Sequence, residues 1–356
     1  MQILHTADIH LRDGEDERWH ALETVVDESV ARDVDVLVIA GDLFDRGIDA
    51  RRLRAPLRSL FSRTRARVIV IPGNHDESGL AEGDFLGEKV TLVMDAAAPI
   101  DVDAVRFVGV PFQEADVAET ARILSEAARH QREGATNILV FHGELLDLVP
   151  GSGAFGDEGG RDYMPVRLET FSRLGFDYIL AGHFHKRFRT VYYEGGVFVY
   201  PGSPVSITRR ETGRRQATLL TPGDVPAGVE LETAFFADVG VDLNPDDVNG
   251  PVERIRTVLA SAPAGARILL SVNGFVHLAS VGMNETFFAQ AIDALRSDFN
   301  IEPPIQQNWQ DVSVVLDHDL FRRFAERLDT SVMQGPQRDA ARTMAMQALM
   351  EVLHAR

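Results

Sequence analysis

Short apolar runs alternate with helical patterns over the first 220 residues or so, and each run ends at a glycine, a proline or a polar turn. Val34–Ala40 is continuously apolar and stops at Gly41, which is typical of a strand that is buried on both faces. Arg67–Ile71 stops in the same way at Pro72, and a stretch with helical spacing separates the two runs. Strands that alternate with helices predict an α/β layered fold with a largely parallel sheet.

The pattern changes at residues 221–228, TPGDVPAG, a segment rich in proline and glycine. Beyond it we predict a smaller α+β unit with strands at 231–237, 268–276 and 312–316. Two helices are expected to follow, at about 319–329 and 337–354. The predicted organisation is therefore a main domain, an α+β capping domain and a C-terminal helical pair, at 1–222, 228–316 and 317–356.

Composition limits the chemistry. The chain has no cysteine, so a metal ion would be held by oxygen and imidazole donors. The net charge of −18 argues against a broadly basic nucleic-acid surface, although local contacts with phosphates stay open. The sequence begins without a signal-peptide pattern, and no apolar run approaches the roughly 20 residues of a membrane helix. We therefore expect a cytoplasmic protein that makes no contact with a membrane.

Five short segments place metal-ligating side chains in turns after apolar strands. They are Asp8-Ile9-His10, Gly41-Asp42, Gly73-Asn74-His75-Asp76, His142-Gly143 and Gly182-His183-Phe184-His185. Each alone is weak, since such residues often serve as helix caps, turns or hydrogen-bonded core residues. Parallel sheets place their ligands at the carboxyl ends of strands, so all five in order predict one site.

The ligand chemistry predicts a pair of divalent transition metals. The candidate ligands are Asp8, His10, Asp42, Asn74, His142, His183 and His185. Their donors suit Mn²⁺, Fe²⁺ or Zn²⁺ better than Ca²⁺, and we expect Mn²⁺. A carboxylate shared by two metals about 3.5–4 Å apart suits phosphoryl transfer, and Asp42 is the natural bridge because it stands in the middle of the series.

These motifs, in this order, resemble those of the calcineurin-like metallophosphoesterases. Within that superfamily, five stretches are similar to SbcD-type DNA-repair nucleases: HTADIHL at 5–11, GDLFD at 41–45, PGNHD at 72–76, GHFHK at 182–186 and YPGSP at 200–204. The resemblance covers about residues 1–220. It implies a sandwich of β-sheets flanked by helices and a manganese-dependent DNA nuclease, an exonuclease or an endonuclease.

The resemblance also implies a role for each site residue. One metal would be held by Asp8, His10 and His185, the other by Asn74, His142 and His183, with Asp42 shared. His75 would bind no metal; it would face the scissile phosphate and protonate the leaving oxygen. Asp45 departs from archaeal and eukaryotic relatives, which often have histidine there, and points to the bacterial type.

The partners implied are DNA and an SbcC-like coiled-coil ATPase. Two basic runs closely follow the last motifs, which makes Arg187, Arg189, Arg209 and Arg210 the candidate DNA contacts. The C-terminal helices would grip the coiled coil of the ATPase, or else pack on their own domain. A further stripe is either core or the face of a homodimer: Leu53, Leu57, Leu60 and Phe61.

Two other functions compete with the nuclease. A phosphatase or small-molecule phosphodiesterase would suit the acidic charge, and GDLFDRG at 41–47 resembles a motif of the Ser/Thr phosphoprotein phosphatases. Those enzymes typically read DIHG and GNHE, whereas this chain reads DIHL at 8–11 and GNHD at 73–76. A subunit that binds DNA ends or a partner without cutting is the other alternative. A complete ligand set together with His75 speaks against it.

Overall fold

The computed structural model describes residues 1–12, 14–148, 163–247 and 249–354. The chain divides into two compact units, Met1–Phe236 and Ala237–Arg356. The proline- and glycine-rich segment at 221–228 lies within the first unit. The strand Ala227–Glu230, which begins at the end of this segment, pairs with the strand Gln216–Leu220 that precedes it. The second unit contains the rest of the predicted α+β segment and the helical tail.

The first unit follows the alternation of strands and helices that the sequence predicts. Its strands are β1 (Ile3–Thr6), β2 (Val36–Ala40), β3 (Arg67–Ile71), β4 (Val90–Leu92), β5 (Ile100–Val102), β6 (Val105–Val110), β7 (Thr136–His142), β8 (Tyr178–Gly182), β9 (Arg189–Tyr193), β10 (Gly196–Tyr200), β11 (Gln216–Leu220) and β12 (Ala227–Glu230). Its helices are α1 (Glu17–Ala31), α2 (Gly47–Phe61), α3 (Val117–Ala127) and α4 (Leu168–Leu174).

These strands form two sheets. Among the described residues each sheet has six strands, in the orders β12-β11-β1-β2-β3-β4 and β5-β6-β7-β8-β10-β9. β1 to β4 are parallel neighbours, as are β6, β7, β8 and β10. The carboxyl ends of β1, β2 and β3 therefore lie at one edge of the first sheet, and those of β7 and β8 at one edge of the second.

The strands are apolar on both faces because each sheet is covered on both sides. In β2, Val36 and Val38 belong to a core cluster that also contains Val140 of the second sheet. Leu37 and Ile39, which alternate with them, pack in the cluster that includes α1 and α2. The second sheet packs its outer face against α3 and α4. The resulting order of layers, helix-sheet-sheet-helix, confirms the predicted α/β sandwich.

The second unit is built around a smaller sheet. Its strands β13 (Phe236–Leu243), β14 (Arg267–Val276) and β15 (Gln306–Asp311) lie in that order. Its helices are α5 (Pro251–Ala260), α6 (Glu285–Ala294), α7 (Ser313–Leu316), α8 (Asp319–Asp329) and α9 (Pro336–His354). α5, α6 and the sheet share one apolar core that includes Leu270 and Phe288.

The prediction of a strand at 312–316 is wrong, because Ser313–Leu316 form the short helix α7. Asp311, which precedes the N-cap residue Val312, accepts a hydrogen bond from the Ser313 amide at 3.0 Å. The strand of this region is β15, whose polar sequence QQNWQD shows no apolar pattern. Such a sequence is tolerated there because β15 is the last strand of its sheet and mostly exposed. The strand predicted at 231–237 overlaps β13 only at its last two residues.

The apolar stripe of α2 belongs to the core of the first unit. Leu53, Leu57, Leu60 and Phe61 are each no more than 5% exposed. They cannot also present a face to a second copy of the chain. The homodimer stays a prediction that has lost this support.

The tail helices have a buried face and an exposed one. Phe321, Met346 and Met350 pack with Val312 and Val315 in a separate core cluster. The opposite surface exposes three apolar side chains, Leu320, Met344 and Val352. The tail therefore packs on its own unit and still leaves apolar surface exposed. Within the described part of the chain, every helix is too short or too polar to cross a membrane.

Candidate metal centre

The loops after β1 and β2 run side by side and carry the first ligands. The Asp8 amide donates to the Gly41 carbonyl at 3.0 Å, and the His10 amide donates to the Asp42 carbonyl at 2.9 Å. Asp8, His10 and Asp42 all have a left-handed backbone, with φ of 56°, 51° and 51°. This conformation is uncommon for residues other than glycine, although aspartate and histidine adopt it more readily than most, and such residues cluster at functional sites.

Glycine is needed where the loops approach each other most closely. Gly41 has φ of +91°, and a Cβ on it would lie 2.0 Å from Nδ1 of His142. A Cβ on Gly73 would lie 2.2 Å from Oδ1 of Asp42. Any side chain at either position would displace a candidate ligand.

One group of donors is close enough to share a cation. Asp8, His10, Asp42 and His185 are all buried, and each offers an atom within 4.8 Å of the others. Nε2 of His10 is 3.2 Å from Nε2 of His185 and 3.6 Å from Oδ2 of Asp42. Nε2 of His185 lies 4.0 Å from Oδ1 of Asp8. The structure thus brings together the residues predicted for one metal.

The other predicted ligands lie next to this group. Nε2 of His142 is 3.0 Å from Oδ1 of Asn74 and 3.4 Å from Oδ2 of Asp42. The ring centroids of His142 and His183 are 5.5 Å apart. Oδ2 of Asp42 therefore faces both groups, as a bridging ligand would.

Hydrogen bonds to the main chain fix the His142 ring. Nδ1 of His142 lies 2.8 Å from the Ala40 carbonyl oxygen. Because a carbonyl can only accept, Nδ1 carries the proton, and Nε2 is the nitrogen that faces Asn74 and Asp42. This is the usual second contact of a histidine that binds metal.

The charges of the site call for a cation. Burial raises the pKa of Asp8 to about 6. The pKa of Asp42 is below its usual value although burial opposes this, because His142 and His10 face the carboxylate. Burial would lower the pKa of His142, but Asp42 and Asp8 raise it to about 10. Buried carboxylates thus pull a proton onto a neighbouring imidazole, and a metal ion would supply the same positive charge.

A second observation favours Oδ2 of Asp42 as a metal ligand. This oxygen is fully buried and receives no hydrogen bond from the described residues. A buried carboxylate oxygen is costly without a hydrogen bond or a cation. The donor set and this oxygen together suggest that the site binds a divalent metal.

His75 lies at the edge of the site and is half-buried. Its amide donates to Oδ1 of Asp42 at 2.9 Å, and its Nδ1 is 3.1 Å from the Asp45 carbonyl oxygen. His75 could also join His10 and Asp45 in a second cluster of metal-binding size. Arg12 and Arg18 already donate to the Asp45 carboxylate at 3.0 and 2.8 Å, which disfavours a metal there.

Asp76 organises the loops, a role that the sequence motif did not reveal. Its carboxylate accepts from the amides of Gly73, Leu43 and Phe44 at 3.0, 3.1 and 2.9 Å. It thereby ties the loop after β3 to the loop after β2. Burial and the charge of Asp42 raise the pKa of Asp76 to about 7.

The four arginines predicted to contact DNA are exposed: Arg187, Arg189, Arg209 and Arg210. Arg215 of the same basic run is buried instead and donates to the carbonyl of Ser203 at 2.9 Å. It also donates to the carbonyls of Lys186 and His185, and so supports the main chain beside the site.

A groove of about 720 Å³ borders the site on the side of Asn74 and His75. Two aromatic side chains and an alanine line it, together with three acidic residues: Phe112, Tyr163, Ala115, Glu77, Glu114 and Asp116. No lysine or arginine lines this groove among the described residues. It favours groups that carry no negative charge.

A double sheet covered by helices, with buried carboxylates and imidazoles at its strand ends, defines the metallophosphoesterase class. Residues 1–187 match the model of the calcineurin-like phosphoesterases, and the chain belongs to this family. Membership implies a metal-dependent phosphoester hydrolase. The predicted family is confirmed at this level, and the SbcD-type assignment stays a prediction.

Individual relatives are distant. The chain is 25% identical to metallophosphoesterase YhaO of Bacillus subtilis over 254 residues, which cover 63% of this chain and 59% of that protein. It is 26% identical to DNA double-strand break repair protein Mre11 of Methanopyrus kandleri over 264 residues, 65% of this chain and 56% of that one. The chain thus spans little more than half the length of these curated relatives. The solved structure of TT1561 from Thermus thermophilus is 16% identical, with a TM-score of 0.43, and covers 61% of this chain and 92% of that one.

Proposed function

We propose that this protein is a two-metal phosphodiesterase that cuts DNA, as the nuclease subunit of an SbcCD-like complex. The observation that carries the proposal is the position of Asp42 Oδ2, 3.6 Å from His10 and 3.4 Å from His142. One carboxylate oxygen thus faces both groups of ligands. Similarity to a DNA double-strand break repair protein and the YPGSP segment at 200–204 support DNA as the substrate.

The two groups would hold Mn²⁺, with Fe²⁺ or Zn²⁺ as the alternatives. Bound in this way, two divalent cations would polarise the phosphoryl oxygens and stabilise their charge during phosphoryl transfer. Asn74 supplies an amide oxygen, and the imidazoles supply neutral nitrogen donors. With Asp8 and Asp42 as the only anionic ligands proposed, two divalent cations would leave the site positively charged, which suits a phosphate.

His75 would protonate the leaving oxygen. Its Nδ1 lies 3.1 Å from the Asp45 carbonyl oxygen, so that nitrogen keeps its proton and Nε2 would be the donor to the substrate. Nε2 can donate only when both ring nitrogens are protonated. Arg12 and Arg18 hold the Asp45 side chain and so fix the loop whose carbonyl orients His75.

The DNA backbone would be held by exposed arginines. Arg187 and Arg189 follow the last ligand motif, and Arg209 and Arg210 follow the YPGSP segment. All four are exposed, and cations of this kind bind phosphates whatever the base sequence. Local contacts would allow an acidic protein to bind DNA.

A phosphatase or small-molecule phosphodiesterase is the second candidate. The groove beside His75 favours it, because Glu77, Glu114 and Asp116 line the groove and would repel further phosphates of a nucleic acid. A small ester with an uncharged aromatic leaving group would suit this surface better than a polynucleotide.

The two candidates differ in their preferred substrate. We would load the protein with Mn²⁺ and compare linear duplex DNA, bis(p-nitrophenyl) phosphate and p-nitrophenyl phosphate. The nuclease proposal expects cleavage of DNA and faster hydrolysis of the diester than of the monoester. Asp42→Asn serves as the control for contaminating nucleases, since it should be inactive on all three.

Faster hydrolysis of the monoester, with DNA left intact, would favour the phosphatase. Binding of DNA without hydrolysis of any substrate, in a protein that retains its metals, would favour a subunit that binds DNA ends.

A further inference from the structure

We propose that Glu211 is a positioning residue for the candidate metal ligand His185. The inference rests on the metal centre proposed above and extends it to a residue outside the sequence motifs. Glu211 lies in the turn that follows the YPGSP segment, beyond the residues 1–187 that match the family model.

The carboxylate of Glu211 is held in place from several sides and is fully buried. Its Oε2 accepts from the Ile207 amide at 2.7 Å and from the Ser203 hydroxyl at 3.2 Å. Its Oε1 accepts from the Thr208 hydroxyl at 3.1 Å and lies 3.4 Å from Nδ1 of His185. These contacts leave the carboxylate little freedom to turn away from the imidazole.

A buried arginine fixes the backbone on the other side. Arg215 is 1% exposed, and its guanidinium donates to the carbonyls of Ser203, Lys186 and His185. The main chain around His185 and the turn that carries Glu211 are therefore joined. The positive charge of Arg215 also offsets the buried negative charge of Glu211.

The contact with Glu211 determines which nitrogen of His185 faces the site. An ionised carboxylate can only accept, so Nδ1 of His185 carries the proton and Nε2 holds the lone pair. Nε2 lies 3.2 Å from Nε2 of His10 and 4.0 Å from Oδ1 of Asp8, within the ligand cluster. A carboxylate behind a ligating histidine orients the ring and makes it a stronger donor.

The test is a calorimetric titration of metal-stripped protein with Mn²⁺. Glu211→Gln keeps the size of the side chain and removes its charge. We expect it to weaken Mn²⁺ binding at one of the two sites by about 10-fold or more, the usual effect of losing such a contact. Glu232→Gln is the matched control, because it makes the same change at a glutamate whose side chain is 89% exposed. It should bind Mn²⁺ as the wild type does.

Wild-type affinity in Glu211→Gln, or an equal loss in Glu232→Gln, would overturn the role of Glu211. In either case the metal centre itself stands, provided that the wild type binds two ions. A wild type that binds no Mn²⁺ would contradict the proposed function instead.

A second measurement needs no variant and covers the case in which Glu211→Gln does not fold. The wild-type protein is labelled with ¹⁵N-histidine and loaded with Zn²⁺, which is diamagnetic. We expect the NMR spectrum of His185 to show a protonated Nδ1 and a metal-bound Nε2. The reverse assignment would overturn the proposal.

Discussion

At the scale of single residues, the site depends on side chains that serve two neighbours at once. Oδ1 of Asp42 accepts from the His75 amide, while Oδ2 faces His10 and His142. Asp76 binds amides from two loops. A change at either carboxylate should therefore disturb more than one strand end.

His75→Ala tests the role proposed for the residue nearest the substrate. We expect turnover on DNA to fall by at least about 100-fold, the lower range for losing a general acid. Two metals should stay bound, because the His75 side chain is not among the proposed ligands. Turnover, metal content and DNA affinity would be measured together, with His20→Ala, an exposed histidine on α1, as the control.

The outcomes separate three roles for His75. Loss of metal together with activity would make it a ligand or a support of the ligands. Full activity with both metals bound would mean that another group protonates the leaving oxygen.

Sequence motifs pick out the candidate ligands but not the residues that support them. Asp8, His10 and His185 belong to short motifs that follow apolar strands, and this pattern is visible along the chain. Glu211 contacts His185 across 26 positions, and no spacing connects the two. The role of such a residue depends on how distant loops fold together, which a linear pattern does not record.

At the scale of elements, the buried parallel strands could be predicted and the edge strands could not. β2 is continuously apolar, as is β3 after Arg67, because helices and a second sheet cover both of their faces. β15 lies at an edge and pairs with β14 through its main chain, so its polar side chains carry no signal. The apolar residues of α7 were mistaken for a strand because four residues are too few to show a period.

The segments after β8 and β10 should bind the DNA backbone. We expect a variant in which four arginines become glutamine to bind duplex DNA more weakly: Arg187, Arg189, Arg209 and Arg210. The slope of log affinity against log salt should become shallower by about 3 to 4 if each arginine neutralises one phosphate. Fluorescence anisotropy at several salt concentrations would measure it.

The control carries the same charge change elsewhere on the first unit, at Arg63, Arg65, Arg122 and Arg129, all of which are exposed. If both variants shift the slope equally, binding depends on net charge and not on the four proposed contacts. An unchanged slope in the first variant would show that these side chains do not meet phosphates.

At the scale of the whole molecule, the chain combines a unit that holds the site with a second unit. The tail of the second unit has both buried and exposed apolar side chains. Met344 and Met346 show the difference. They lie two residues apart on α9, yet Met344 is 64% exposed and Met346 is 3% exposed.

Met346→Ala should lower the free energy of unfolding of the second unit by about 2–5 kcal/mol, because it leaves a cavity in the cluster around Phe321. Met344→Ala should change it by less than about 0.5 kcal/mol. Chemical denaturation of the two variants would measure the difference. Equal effects would mean that the tail does not pack on its own unit.

The exposed apolar side chains of the tail should contribute to the binding of a partner protein and not to the free energy of unfolding. Leu320, Met344 and Val352 are 60%, 64% and 58% exposed, and we expect their joint change to serine to weaken binding of an SbcC-type ATPase. Folding and hydrolysis of bis(p-nitrophenyl) phosphate should be unaffected. Unchanged binding in a pull-down of the ATPase would mean that the partner, if it binds, uses another surface.

A count of bound metal ions tests the two-metal site most directly. The protein is loaded with Mn²⁺, freed of excess metal and measured by elemental analysis beside single-ligand variants. We expect two ions per wild-type chain and a larger loss in Asp42→Ala than in Asp8→Ala or His142→Ala. Asp42 Oδ2 lies 3.6 Å from His10 and 3.4 Å from His142, whereas Asp8 Oδ1 is 4.0 Å from both His142 and His185. One ion or none in the wild type would contradict the two-metal site.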